Sequence, residues 1–132
     1  MLNFSISELC NSKIANKYNI NNSPNLKACD NLINLIYYCL QPLREKLGKP
    51  IIITSGYRSE KLNSHPLVKG VVNSQHLFGQ AADIKVNGAK PKDLISWIIK
   101  TNVPFDQLIN EYDKWVHISF VKGNNRKQVL YL

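Results

Sequence analysis

Ser74-Gln75-His76-Leu77-Phe78-Gly79-Gln80-Ala81-Ala82-Asp83-Ile84-Lys85-Val86 is the stretch from which the fold of this chain is best read. Its first part is polar and punctuated by Gly79; from Gln80 to Val86 it reads as a buried strand. A helix could not bring His76 and Asp83 together here, because Gly79 and the strand signal interrupt it. A loop that turns at Gly79 and enters a strand could. In that strand Ala81 and Asp83 share one face, and Ala82 and Ile84 the other. Asp83 is then an acid flanked by apolar residues, and a buried carboxylate needs a partner.

Towards the C-terminus, Trp115-Val116-His117-Ile118-Ser119-Phe120 alternates with a period of two. Val116, Ile118 and Phe120 point to the core, so Trp115, His117 and Ser119 line the opposite face. Phe105 to Glu111 forms a hairpin with this strand around Tyr112-Asp113-Lys114, and Lys127 to Leu132 closes the sheet. Pro91 to Lys100 is a helix with Leu94, Ile95, Ile98 and Ile99 facing inward.

Towards the N-terminus, Pro50 to Thr54 is a buried strand, and Ser55 to Gln75 is loop-rich. Cys29, Leu32, Ile33, Ile36, Cys39, Leu40, Leu43 and Leu47 recur at three- and four-residue steps, which predicts one long helix. Ser23 is its expected N-cap, with Pro24 at the first helical position; Pro42 should kink it and Gly48 end it. Ser5-x-x-Glu8 has the form of a capping box opening a short helix through about residue 17. Helices come first and antiparallel strands cluster late, so the expected class is α+β: a small antiparallel sheet with helices packed on it. No repeat or linker divides the chain, and one domain is expected over residues 1–132.

At 132 residues, 44% of them hydrophobic, the chain can bury a core without disulfides. Its three cysteines, Cys10, Cys29 and Cys39, form no CxxC pair and read as small buried hydrophobes, against a cysteine-based metal site. No apolar run is long enough to span a membrane. Met1-Leu2-Asn3-Phe4-Ser5 lacks the charged start and apolar run of a signal peptide, so synthesis in the cytoplasm is expected, and a substrate beyond the membrane would need another route. The net charge of +8 favours polyanions. The lysines are scattered, with no basic helix and no aromatic stacking motif, which argues against specific nucleic-acid binding. Charge alone does not choose between nucleic acid and a polyanionic bacterial wall.

The chain has three histidines. His65 precedes Pro66 in a polar loop and reads as a surface residue. His76, Asp83 and His117 together supply two imidazoles and a carboxylate, the kind of set that leaves zinc an open fourth position. Taken singly, Asp83 could equally cap a helix or form a salt bridge, and His117 could lie on a solvated strand face.

Ser74-x-His76-x-x-Gly79-x-Ala81-x-Asp83 followed by Trp115-Val116-His117 resembles the zinc D-Ala-D-Ala carboxypeptidase family. That family includes the vancomycin-resistance D-Ala-D-Ala dipeptidases and phage L-alanyl-D-glutamate endolysins, and the hedgehog signalling domain shares its fold. Leu43-Arg44-Glu45, Gly48-Lys49-Pro50, Thr54-Ser55-Gly56-Tyr57-Arg58-Ser59 and Asn63 are similar to its small-phage and bacterial branch, and the resemblance runs from Phe4 to Phe120. It implies that His76, Asp83 and His117 bind zinc and that Arg58 pairs with substrate oxygens, a task suited to a forked, permanently charged guanidinium. Ser74, Gln75 and Trp115 are expected beside the substrate.

Several members carry an acid three residues before the last histidine, where this chain has Lys114. Glu111, six residues before His117, resembles the smaller branch and is the expected general base. Asp113 is the other candidate, but the turn tip should be more exposed, and a catalytic carboxylate needs shielding to raise its pKa. The implied activity is zinc-dependent hydrolysis of a peptidoglycan stem peptide by a monomer, with wall polymers as charge partners, as a free phage lysin, a virion component or a wall-remodelling enzyme. The alternative, as in hedgehog, is a non-catalytic zinc module that binds the wall or builds a virion.

Overall fold

The computed structural model describes residues 2–132. Ser5 accepts the Glu8 amide through Oγ at 3.1 Å and opens helix α1, Ile6–Cys10. The single helix expected through residue 17 is broken after Cys10, because Ser12 caps a second helix, α2 (Lys13–Lys17), by accepting the Ala15 amide at 3.1 Å. Helix α3, Leu26–Leu35, starts two residues later than expected. Its N-cap is Asn25, not Ser23, and Asn25 Oδ1 takes the Ala28 amide at 2.8 Å.

The expected long helix continues through a π-helical turn, Ile36–Leu40, into α4, Gln41–Leu47. Pro42 explains the turn: it has no N–H to give the Tyr38 carbonyl, and its ring presses on that group. The backbone widens instead, so that the Gln41 amide reaches back to the Ile36 carbonyl. Gly48 closes α4 in the left-handed conformation.

Strand β1, Ile52–Ser55, leads into a loop that contains the short helix α5 (Glu60–Asn63) and a 3₁₀ turn, Gln75–Phe78. Then follow β2 (Ala81–Lys85), α6 (Pro91–Thr101), β3 (Gln107–Glu111), β4 (Trp115–Ser119) and β5 (Gln128–Tyr131). The strands lie in the order β1-β2-β4-β3-β5. Every pairing is antiparallel except the last: β5 runs parallel to β3, which departs from the expected all-antiparallel sheet. The cause is geometric. The chain leaves β4 at the end where β3 began and crosses to the outer side of β3, so it must run the same way. The class is α+β, as expected.

One face of the sheet packs on α3, α4 and α6, burying Leu32, Leu35, Leu43, Ile84, Leu94, Ile98, Leu108, Val116 and Ile118. Ile33 and Ile99, expected inward, are 50% and 49% exposed. Each follows a fully buried neighbour, and one step around a helix turns a side chain by about 100° away from the core. Cys39 is buried as expected, whereas Cys10 and Cys29 are only half-buried where α1 meets α3. Among the described residues no helix is long and apolar enough to cross a membrane.

Candidate metal centre and active site

The second face of the sheet carries the site. Asp83 lies opposite His117 in the β2–β4 ladder and opposite Ser55 in the β1–β2 ladder, so one row of side chains crosses three strands. The loop between β1 and β2 folds over this row, with the Arg58 amide donating to the His76 carbonyl at 3.0 Å. Gly79 makes the return possible. It adopts φ +72°, and a Cβ there would stand 2.5 Å from the Ala28 carbonyl oxygen of α3. The turn thus delivers His76 back over the strand that holds Asp83.

His76 Nε2 and His117 Nδ1 each stand 3.3 Å from Asp83 Oδ1, and one ligand atom from each of the three residues lies within 4.8 Å of the others. All three residues are buried. The imidazole planes cross at 75°, so their lone pairs converge from different directions. His76 Nδ1 is 2.6 Å from the Gly56 carbonyl, which fixes the proton on that nitrogen and leaves Nε2 as a bare lone pair.

That lone pair faces a carboxylate oxygen. A second proton on His76 would relieve the opposition, but burial pushes its pKa below the ordinary histidine value, even against the pull of Asp83. Burial would raise the Asp83 carboxyl; the two histidines outweigh it and hold the group ionised, well below the usual range. Three buried ligand atoms that converge within 4.8 Å of one another make a candidate cation site. Two imidazoles and one carboxylate, with no thiolate, suit zinc.

Arg58 and Glu111 flank this set. Arg58 Nη2 approaches Asp83 Oδ2 at 3.4 Å, and its side chain is 15% exposed. Glu111 pairs with Trp115 across the β3–β4 hairpin. Partial burial, then the charge of Asp83, raises its pKa above that of an ordinary glutamate; His117 and Arg58 pull the other way. Glu111 therefore shares one electrostatic neighbourhood with a metal-site acid, a metal-site histidine and the arginine. Asp113 is exposed and turned to Asn110, accepting from its amide at 2.9 Å at the hairpin tip.

Ser74 is buried and caps the 3₁₀ turn, its Oγ accepting the His76 amide at 3.2 Å. Gln75 gives its side-chain amide to Asp106 at 2.8 Å. Trp115 borders a groove of about 790 Å³ together with Arg58, Asp83, Lys85, Ile52 and Lys13. His65 lies apart from the centre and is partly exposed. It stacks on Tyr18 with ring centroids 4.7 Å apart, and its Nδ1 accepts the Leu67 amide at 3.1 Å.

Composition gave no sign of Asp106, which is 1% exposed and binds Gln75, the Arg126 backbone and the Arg126 guanidinium. Its partners lie on segments far apart in sequence, so no local pattern could reveal it.

A zinc D-Ala-D-Ala carboxypeptidase from Streptomyces albus G is 46% identical to this chain over 46 residues, 34% of this chain. The chain spans only 17% of the length of that relative. The family profile described as peptidase M15 matches residues 2–119, a span that holds every residue of the centre. The chain belongs to the peptidase M15 family.

Proposed function

We propose that this chain is a zinc metallopeptidase that hydrolyses a peptide bond in the stem peptide of bacterial peptidoglycan. The observation that carries the reading is the buried His76, Asp83 and His117 set with Arg58 at 3.4 Å from Asp83 and Glu111 two residues along β3 from the position opposite His117. A structural metal site would need neither a carboxylate with a raised pKa nor a guanidinium with free donors. The similarity to a carboxypeptidase that acts on D-Ala-D-Ala supports the substrate class.

His76, Asp83 and His117 would hold the zinc, which when bound supplies a Lewis acid to polarise the scissile carbonyl and acidify water. Glu111 takes the proton from the attacking water and delivers it to the departing amine. Its raised pKa brings it nearer the operating pH, as efficient proton transfer requires. Arg58 spends one N–H of each terminal nitrogen within the protein, on Asn63 and on Asp83, and keeps a second on each for the oxygen that becomes negative. The adjoining groove gives the rest of the peptide room, with Lys13 and Lys85 among its borders. The net charge of +8 favours accumulation on anionic wall polymers, at the wall or after release by a lytic apparatus or virion.

The deciding experiment is digestion of isolated peptidoglycan by the zinc-loaded protein, followed by mass spectrometry of the muropeptides. Release of terminal D-alanine identifies a carboxypeptidase; a new glutamate amine identifies an L-alanyl-D-glutamate endopeptidase. An unchanged muropeptide profile with retention of the protein on the wall would overturn hydrolysis in favour of a zinc-containing binding module.

A further inference from the structure

Arg58 can serve an oxyanion only if its planar head is held at a set angle, and side-chain entropy opposes that. Three contacts hold it: Nε to Ser55 Oγ at 3.1 Å, Nη2 to Asp83 Oδ2 at 3.4 Å and Nη1 to Asn63 Oδ1 at 3.1 Å. Of these partners Asp83 is committed to the metal set and Ser55 is a single rotatable hydroxyl. Asn63 is different. It is 5% exposed, and both ends of its side chain are engaged, since Nδ2 donates to the Val71 carbonyl at 3.0 Å. Its backbone is tied as well, with the amide on Ser59 O at 2.9 Å and the carbonyl accepting from Gly70 N at 2.8 Å.

Gly70 completes the arrangement. Its φ is not positive, so the backbone would accept other residues, but a Cβ there would run into Asn63 Oδ1, the atom that receives Arg58. The glycine is required for space, at the one point where space is needed to keep that oxygen in place.

We propose that Asn63 is a positioning residue for Arg58, and that Gly70 is glycine so that Asn63 can occupy this orientation. The kinetic part rests on the peptidase reading above; the structural part does not. The same asparagine clasps the loop after α5 at Gly70 and Val71, and Leu67 and Val68 of that loop border the groove. A peptide lying in the groove therefore touches a wall anchored to the residue that aims the guanidinium.

The test has an arm that needs no activity. In protein labelled with ¹⁵N-arginine, the Arg58 side chain should give distinct, slowly exchanging Nη signals, because its rotation about the Cζ–Nε bond is restrained. Asn63→Ala should merge or broaden them, while zinc content stays near wild type and the protein remains folded. Unchanged Arg58 signals in Asn63→Ala would overturn the proposal outright.

In hydrolysis assays Asn63→Ala should lower kcat/KM by about tenfold or more, the scale of a lost hydrogen bond to a charged group. The loss should fall mainly on kcat, and Asn63→Asp, which keeps the acceptor for Arg58 but loses the donor to Val71, should recover part of it. Gly70→Ala should reproduce the Asn63→Ala loss in the native background but add little to it in the double variant, as residues in contact do; the Arg58 signals and the fall of the loss on kcat separate positioning from a merely structural role. Additive losses overturn the coupling. If Arg58→Lys hydrolyses peptide as well as wild type while the Asn63→Ala signals still move, the catalytic role of Arg58 fails and the positioning stands.

Discussion

Gln75 donates its side-chain amide to Asp106 at 2.8 Å, and so ties the residue before His76 to the residue that leads into β3. Asp106 also receives the Arg126 amide at 2.8 Å and the Arg126 guanidinium at 2.7 Å. One buried carboxylate thus fastens both the 3₁₀ turn and the segment leading into β5.

Asp106→Asn should lower the melting temperature at pH 7 and loosen the His76 turn, seen as weaker zinc retention against a chelator. The hydrogen bonds from Arg126 hold the Asp106 carboxyl below the usual carboxylate range. A depressed folded-state pKa contributes stability that is present above the unfolded value of about 3.9 and is lost as pH falls through the folded one. The difference in melting temperature between wild type and variant should therefore narrow below about pH 4. A constant difference from pH 7 to pH 3 would refute this account.

The metal site makes a sharper demand. Purified protein should carry about one zinc per chain, as a single three-ligand site implies. His76→Ala and His117→Ala should each lose most of it by elemental analysis, whereas His65→Ala, set against Tyr18 and away from the centre, should not. Equal zinc in all three variants would remove the ligand assignment.

Glu111 and Asp113 separate by environment. Glu111→Gln should keep zinc and fold but lose at least ~100-fold in turnover, the usual scale for a general base. Asp113→Asn should change turnover much less, with a small loss of stability through its contacts to Asn110. Because burial and Asp83 raise the Glu111 pKa, the acid limb of kcat/KM in the wild type should lie above the ~4.3 of an ordinary glutamate. Activity then falls as pH drops through that higher value. A dead Asp113→Asn beside an active Glu111→Gln reverses the assignment.

Cys10 and Cys39 should be chemically quiet. Burial pushes the Cys39 thiol up to about 12, and burial with the neighbouring Cys29 pushes Cys10 up to about 11. A thiolate is the reactive form, so at pH 8 neither should be alkylated quickly by iodoacetamide in the native protein. Mass spectrometry should find Cys39 modified only after denaturation; rapid native labelling at Cys39 would mean that the seam under the π turn opens.

Much of this architecture could be read from side-chain periodicity, because burial on one face leaves a repeat in the chain. The alternation of Trp115 to Phe120 gave both faces of β4, and Gly79 marked the reversal between His76 and Asp83. Cap identity was harder to read. Ser12 and Asn25 compete with their polar neighbours, and only the backbone geometry decides which oxygen meets a free amide. The proline at 42 signalled a disturbance, but bending and widening are both open to a proline-broken helix, and the structure takes the second. The parallel placement of β5 and the Asp106–Arg126 pair are long-range facts with no local pattern. For the same reason Ser55 and Asn63 stood in a recognisable stretch without showing that both would hold Arg58.

The division between the sheet and the loop above it has a consequence for how such a protein can be altered. The metal row crosses β1, β2 and β4, where ladders and a buried core leave little freedom. Leu67, Val71 and Val72 of the overlying loop are 61%, 71% and 88% exposed, and the loop is tied to the centre through the Val71 carbonyl, which accepts from Asn63. The metal row and the exposed tip of the loop thus lie in different parts of the chain, joined through Asn63 and Gly70. Leu67 and Val72 can therefore be diversified in a library, provided that Asn63 and Gly70 are held constant, without disturbing the row beneath.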